Sequence, residues 1–442
     1  MKKFTSLFLL LLLSKVAVSS TLINGIYYNL DSNEKTASVT YQYQYNGSYF
    51  EDVVIPETVT YNGIQYDVTA ITANAFYGCK GLTSVTIPAS IKSIGVSAFY
   101  GCNSLTSITI PESITTIENS TFQDCSGLVS VTIPSGVRSI GEYSFSYCRS
   151  LESISLPDDL TTIGIYAFQN CSSMTTVNIG NKVESVGYAS FERCSGLTSV
   201  SFHCKEIGQW FDMNTNIKEV VIGEEVESIG KSAFYGFKGL TSVKMNNVRT
   251  IGNAAFSNCE NLETITFSDS LKTIDDNAFY YCKSLKSVVL PQKIESVSNS
   301  AFNQCENIES VTLLMPTISS WFSWKRNLKE ITFGDSVKVI GECAFNKCSS
   351  LTSIVMPNSI STIDRFAFAD CDKLASVKLS NGLTELGEYC FQNCTSLTHI
   401  DIPTGLTTIG NSVFYGCSGL SSLIIPNNIT SIGYRAFYGC NR

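Results

Sequence analysis

The sequence predicts a solenoid: short coils stacked one on the next, with a parallel β-sheet on one face and short turns, helical or 3-10, on the other. Three observations predict it. Phe-x-x-Cys recurs every 23 residues at Phe76/Cys79, Phe99/Cys102, Phe122/Cys125, Phe145/Cys148, Phe168/Cys171 and Phe191/Cys194. It returns from Phe256/Cys259 to Phe302/Cys305 and from Phe345/Cys348 to Phe437/Cys440. Between these marks lies a period-two apolar motif, such as Leu82, Val85 and Ile87 alternating with Ser84 and Thr86. Nine of the ten prolines fall at the end of that motif.

Each element of the coil has a physical reason. The alternating stretch is rich in β-branched residues and reads as a short strand. Pro88 ends it, because a proline cannot donate to a ladder. Gly95 permits a sharp turn, and Ser97-Ala98-Phe99-Tyr100 is expected to make one helical or 3-10 turn before Cys102 leads to the next strand. No such unit buries its apolar face alone, whereas stacked units share one core.

Three segments follow along the chain. Residues 1–20 read as a signal peptide: Met1-Lys2-Lys3, an apolar run from Leu7 to Leu13, and Ala17-Val18-Ser19 as a cleavage site. Residues 21–75 read as a small antiparallel β-rich cap, with hairpin signals at Asn46-Gly47 and Asn62-Gly63. Its eight tyrosines are either part of that cap or a platform for sugars. Residues 76–442 read as the repeats, about 17 units of ~23 residues, two of them shortened. The two short units, Ile207-Gly208-Gln209-Trp210-Phe211 and Ile318-Ser319-Ser320-Trp321-Phe322, lie 111 residues apart and lack three residues and the usual proline turn.

This unit resembles the BspA-like class of leucine-rich repeats over about residues 53–442. The resemblance implies a leucine-rich repeat solenoid, α/β or mainly β, in a secreted or surface-displayed protein that adheres to host matrix proteins, host cells or other microbes. No immunoglobulin-like module or sorting segment follows the repeats.

Composition narrows the function further. With 44% hydrophobic and 15% charged residues the chain is not disordered. Without Lys2, Lys3 and Lys15 of the leader, 27 basic residues face 38 acidic ones, a net charge of −11. That balance argues against nucleic acid or an anionic membrane as partner, and no spanning segment follows the leader. No phosphate loop, nucleophile elbow or paired-histidine zinc motif is present, so neither an enzyme nor a cofactor or metal site is predicted. Fourteen of the 17 cysteines share one repeat position, where parallel side chains do not face each other for disulfides and read as small hydrophobes. Cys204 and Cys343 lie off that file and read as the more reactive thiols.

Binding is expected on the outward strand positions and at the short units. The strand face begins as Ser84, Thr86, Ser107, Thr109, Ser130, Thr132, Ser153 and Ser155, then acquires charges. Lys218, Lys244, Lys286, Lys329 and Glu330 are candidate binding residues there, with Trp210, Trp321 and Trp324 at the short units. Those indoles either stack on a ligand or plug the space left by the deletion. The expected function is an exported, non-catalytic adhesin for an extracellular protein or glycan. The alternative is a secreted structural or self-associating scaffold. An apolar coil at the C-terminal end is expected to fray or pair end to end.

Overall fold

The computed structural model describes residues 20–42, 47 and 49–441; the signal segment through residue 19 and Asn46 of the first hairpin signal lie outside them. The chain winds as a β-solenoid. A representative coil begins with the first-sheet strand β7 (Leu82–Thr86), whose Leu82 and Val85 are buried while Thr83 and Thr86 face solvent. The Pro88 carbonyl then accepts the Ile91 amide at 3.2 Å, closing the turn into the two-residue strand β8 (Ser93–Ile94). Gly95 follows, and its amide donates to Ile71 O of the preceding coil at 2.9 Å. A Cβ here would lie 2.4 Å from Ala73 N, so the glycine lets two backbones approach.

The corner that follows is not the helical turn the sequence suggests. Ala98 and Tyr100 donate to Gly95 and Ser97 of their own coil, whereas Ser97, Phe99 and Gly101 donate to Asn119, Thr121 and Gln123 of the next. A helix turns all its amides along one axis; here alternate amides point out of the coil. Left-handed residues make this possible, Ser97 at φ 55° and Gly101 at φ 69°. Among the described residues one 3-10 helix occurs, Ser320–Phe322 in the second short coil.

Neighbouring coils pair in parallel in two places. The first sheet includes Thr176–Ile179, Ser199–Phe202 and Glu219–Ile222 in register, and likewise Ser287–Leu290, Ser310–Leu313 and Glu330–Phe333. It is interrupted at 151–157, where Ser153 and Ser155 are exposed but no strand forms. The second ladder, of two-residue strands, runs from Thr116–Ile117 to Ser185–Val186, from Glu206–Ile207 to Ser296–Val297, and from Thr317–Ile318 to Glu385–Leu386. It is also broken between Ser93–Ile94 and Thr116–Ile117, and two of its later breaks fall where the two short coils begin.

The core is a set of files. Phenylalanine rings stack from Phe76 to Phe211 with centroids 4.9 to 5.4 Å apart. Phe202 then stands edge-on to both Phe211 and Phe234, and the file resumes from Phe234 to Phe437. The cysteines run beside it. From Cys102 to Cys440 each thiol of this file donates to the carbonyl of the ladder phenylalanine one coil back, as Cys125 Sγ to Phe99 O at 3.0 Å and Cys371 Sγ to Phe345 O at 3.2 Å. The sequence reading of these thiols as small hydrophobes missed this bond.

Before the first full coil, β1 (Thr21–Ile23), β2 (Ile26–Asp31) and β3 (Thr36–Thr40) form an antiparallel meander. Asn62-Gly63, at φ 50° and 79°, turns β5 (Thr58–Tyr61) into β6 (Ile64–Ile71). The sheet is mixed instead of purely antiparallel, because β3 joins β6 in parallel. Strand β4 (Glu51–Val54) already pairs with β7, and β6 with β8, so coiling begins inside the 21–75 segment.

Candidate binding surface

The two short coils are where side chains depart most from the repeat. In a regular coil the carbonyl of the second-ladder apolar residue accepts the following coil's amide, as Ile274 O does from Ser298 N at 2.8 Å. At the second short coil that donor is missing, and the Trp321 indole N–H takes its place, donating to Val297 O at 3.0 Å. Trp321 is only 7% exposed. At the first short coil, Trp210 is 6% exposed and its indole sits over Gly208, where a Cβ would lie 2.6 Å from Nε1. One edge of Trp210 reaches a cleft of about 590 Å³ beside Val186, Lys205 and Glu206. At this exposure neither enclosed ring is open to a ligand, which favours the second of the two sequence readings for Trp210 and Trp321, plugs for the deletion. Both fill the space left by the three missing residues.

Trp324 differs. It occupies the left-handed corner position at φ 64° and is 56% exposed, with Lys347 Nζ 3.5 Å from its ring centroid. The equivalent residue of the first short coil is Met213, also left-handed and exposed. Next to each, the cysteine slot holds another donor: Asn214 Nδ2 reaches Phe191 O at 2.6 Å and Lys325 Nζ reaches Phe302 O at 2.8 Å. Lys325 is buried, and the loss of water pushes its ammonium pKa down.

The sequence-named charges lie on the solvent side of the first sheet, but in different states. Lys286 pairs with Glu263 at 2.9 Å and Lys329 with Glu309 at 2.8 Å, each across one coil. The Lys329 ammonium holds the Glu309 carboxyl below its ordinary value. Lys218, Lys244 and Glu330 are exposed and make no ion pair among the described residues. The Ser/Thr lawn remains exposed at Ser107, Thr109, Ser130 and Thr132.

Other sequence signals resolve as structural. Tyr28, Tyr49 and Tyr66 are buried in the N-terminal sheet, which removes them from any sugar platform. Cys204 is buried, bonds Glu206 O at 3.2 Å, and has its pKa pushed up to about 11 by burial, so it is not an activated thiol. Cys343 is partly exposed, yet burial raises its pKa too. Among the described residues no cluster of His, Cys, Asp or Glu could hold a metal, and no helix is long and apolar enough to cross a membrane.

The stacked parallel strands, the single-residue files and the 23-residue period define a leucine-rich repeat solenoid. More narrowly, the chain belongs to the BspA type leucine rich repeat family, whose six-copy region model matches residues 37–138, 69–198, 127–235, 205–320 and 317–442. No curated protein sequence matches it. Among solved structures, a leucine-rich repeat protein from Bacteroides ovatus is 28% identical, covering 95% of this chain and 92% of that one, with a TM-score of 0.45. A leucine rich cell surface protein from Faecalibacterium prausnitzii is 23% identical over 95% and 92%, TM-score 0.31. The pneumococcal vaccine antigen PcpA is 20% identical over 82% and 99%, TM-score 0.44.

Proposed function

We propose that this chain is an exported, non-catalytic adhesin that binds an extracellular protein or glycan along its repeat surface. The observation that carries the reading is the first sheet. Its outward side chains recur once per coil, are mostly uncharged serines and threonines in the first part, and gain unpaired Lys218, Lys244 and Glu330 further on. Such a row lets weak contacts at successive coils sum on a long partner. The family supports this reading, and two proteins of similar fold are a cell surface protein and a vaccine antigen. The apolar run at residues 7–13 supports export.

The N-terminal sheet serves the array as its end cover. The Tyr49 ring lies 4.8 Å from Phe76, adding one more ring to the phenylalanine file, and its hydroxyl donates to Thr40 O at 2.7 Å. That closes an edge that would otherwise recruit other strands.

The test is surface binding of the full chain to immobilised fibrillar matrix proteins and polysaccharides. Saturable binding to one of them, weakened severalfold by the double substitution Lys218→Glu plus Lys244→Glu, supports the reading. No binding anywhere, with concentration-dependent self-association, would replace it with the scaffold alternative.

A further inference from the structure

Resting on that reading, we propose that the second short coil carries a subsite for one hexopyranose unit of a neutral glycan, with the sugar ring stacked on Trp324. A cleft of about 900 Å³ opens at this coil, lined from the coil before by Asn299 and Asn303 and from the coil after by Cys343. That volume suits a di- or trisaccharide. Trp324 lines it with an exposed ring, already held from one side by Lys347, so the indole is positioned before any ligand arrives.

Around the ring stand groups that bond hydroxyls. Asn303, Gln304, Glu306 and Arg326 line the same cleft, and among the described residues none of their side chains makes a hydrogen bond or ion pair. Two amides supply paired donors and acceptors, the carboxylate accepts, and the guanidinium donates in a fork. Most of the lining is uncharged amide and hydroxyl; Glu306 stands against Arg326, and the third charged group, Lys325, is turned inward to Phe302 O, which favours an uncharged ligand. A protein anchor would need an apolar socket to receive it; here a single ring is surrounded by polar side chains, the pattern a pyranose meets with one C–H face and an equatorial belt of hydroxyls.

The first short coil does not repeat this arrangement. Met213 stands for Trp324 and Thr215 for Arg326, and the cleft there lies on the other side of the coil, against Trp210.

Saturation-transfer NMR of the full chain with lactose, cellobiose and N,N′-diacetylchitobiose tests the proposal. At least one disaccharide should bind, with saturation concentrated on the C–H protons of one ring face. Trp324→Ala should weaken that binding about tenfold or more, Trp324→Tyr should retain most of it, and Met213→Ala should leave it unchanged. Asn303→Ala plus Arg326→Ala provides an independent route to loss. No binding by any of the three sugars, or binding indifferent to Trp324→Ala, overturns the subsite. Matrix binding that persists in the Trp324→Ala chain while no sugar binds discards the subsite and leaves the adhesin reading standing; loss of matrix binding by wild type itself discards both.

Discussion

The two short coils begin from nearly the same residues and reach different solutions. Both lose three residues between strand and ladder phenylalanine, and both break the second ladder. In the second, Trp321 repairs the broken ladder by donating to Val297 O, and the phenylalanine file passes through, loosened to 6.5 Å between Phe322 and Phe345. In the first, Trp210 makes no such bond among the described residues, and the phenylalanine file is interrupted by Phe202 at the following step. What the two deletions share is therefore filled volume; a donor for the orphaned carbonyl is supplied only at the second. The ring that fills the gap can do so with or without that bond.

The comparison can be broken by substitution. Trp321→Ala should show the largest effect, about 3–5 kcal/mol from the emptied space, read as a shift in the urea midpoint. Trp321→Phe keeps most of the volume but strands the Val297 carbonyl, and should cost about 1–3 kcal/mol. Trp210→Phe removes no such bond and should cost less than Trp321→Phe; equal costs would refute the difference between the coils.

The donors in the cysteine slot give the next effect. Asn214→Ala and Lys325→Ala each leave a phenylalanine carbonyl without its side-chain partner, at about 1–3 kcal/mol. Lys325→Cys restores the thiol found in most coils and removes a buried ammonium, so its midpoint should equal or exceed that of wild type.

A smaller effect concerns pH. Because burial lowers the Lys325 pKa, the unfolded chain holds that proton more tightly than the fold does. The resulting destabilisation is fully present below the folded pKa and is relieved as pH climbs toward the ordinary 10.5. Across that alkaline interval wild type should gain stability relative to Lys325→Met; a flat difference would contradict the assignment. Smallest of all is a labelling difference: in the native fold at pH 8, alkylation should be confined to Cys343 and Cys440, the two partly exposed thiols. Burial keeps thiols such as Cys371 protonated, with a pKa pushed up to about 12.

Much of this fold was legible because its physics is periodic. Leu82, Val85 and Phe99 recur at positions that face inward in every coil, so spacing alone placed the core. The thiol bond was less visible, since Phe237 stands three residues after Phe234, in the slot the cysteines fill elsewhere, and a phenylalanine there reads as packing. The better signal was that the other exceptions, Asn214 and Lys325, are hydrogen-bond donors like the cysteines they replace. The corner was misread for a different reason. Phe-x-x-Cys flanked by Ala has helical propensity, but alternate amides there serve the next coil, and the hint of a left-handed turn lies in the recurrence of Gly78, Gly101, Gly236, Gly416 and Gly439, with Asp124, Asn170, Asn258, Asp370 and Asn393, in one file. At the candidate site, all three tryptophans were named, yet their division into two enclosed rings and one exposed ring depends on their places in the coil, Trp210 and Trp321 just before the ladder phenylalanine and Trp324 at the left-handed corner. Composition does not carry that information.

The division of the tryptophans can be measured directly by limited oxidation of the native chain with N-bromosuccinimide, followed by peptide mapping. The chain holds three tryptophans, so each site can be followed separately. Trp324 should be oxidised first and nearly alone, with Trp210 and Trp321 protected until the chain unfolds. Oxidation of Trp321 as fast as Trp324 would contradict the buried indole bond to Val297, and with it the account of how the array closes over its missing residues.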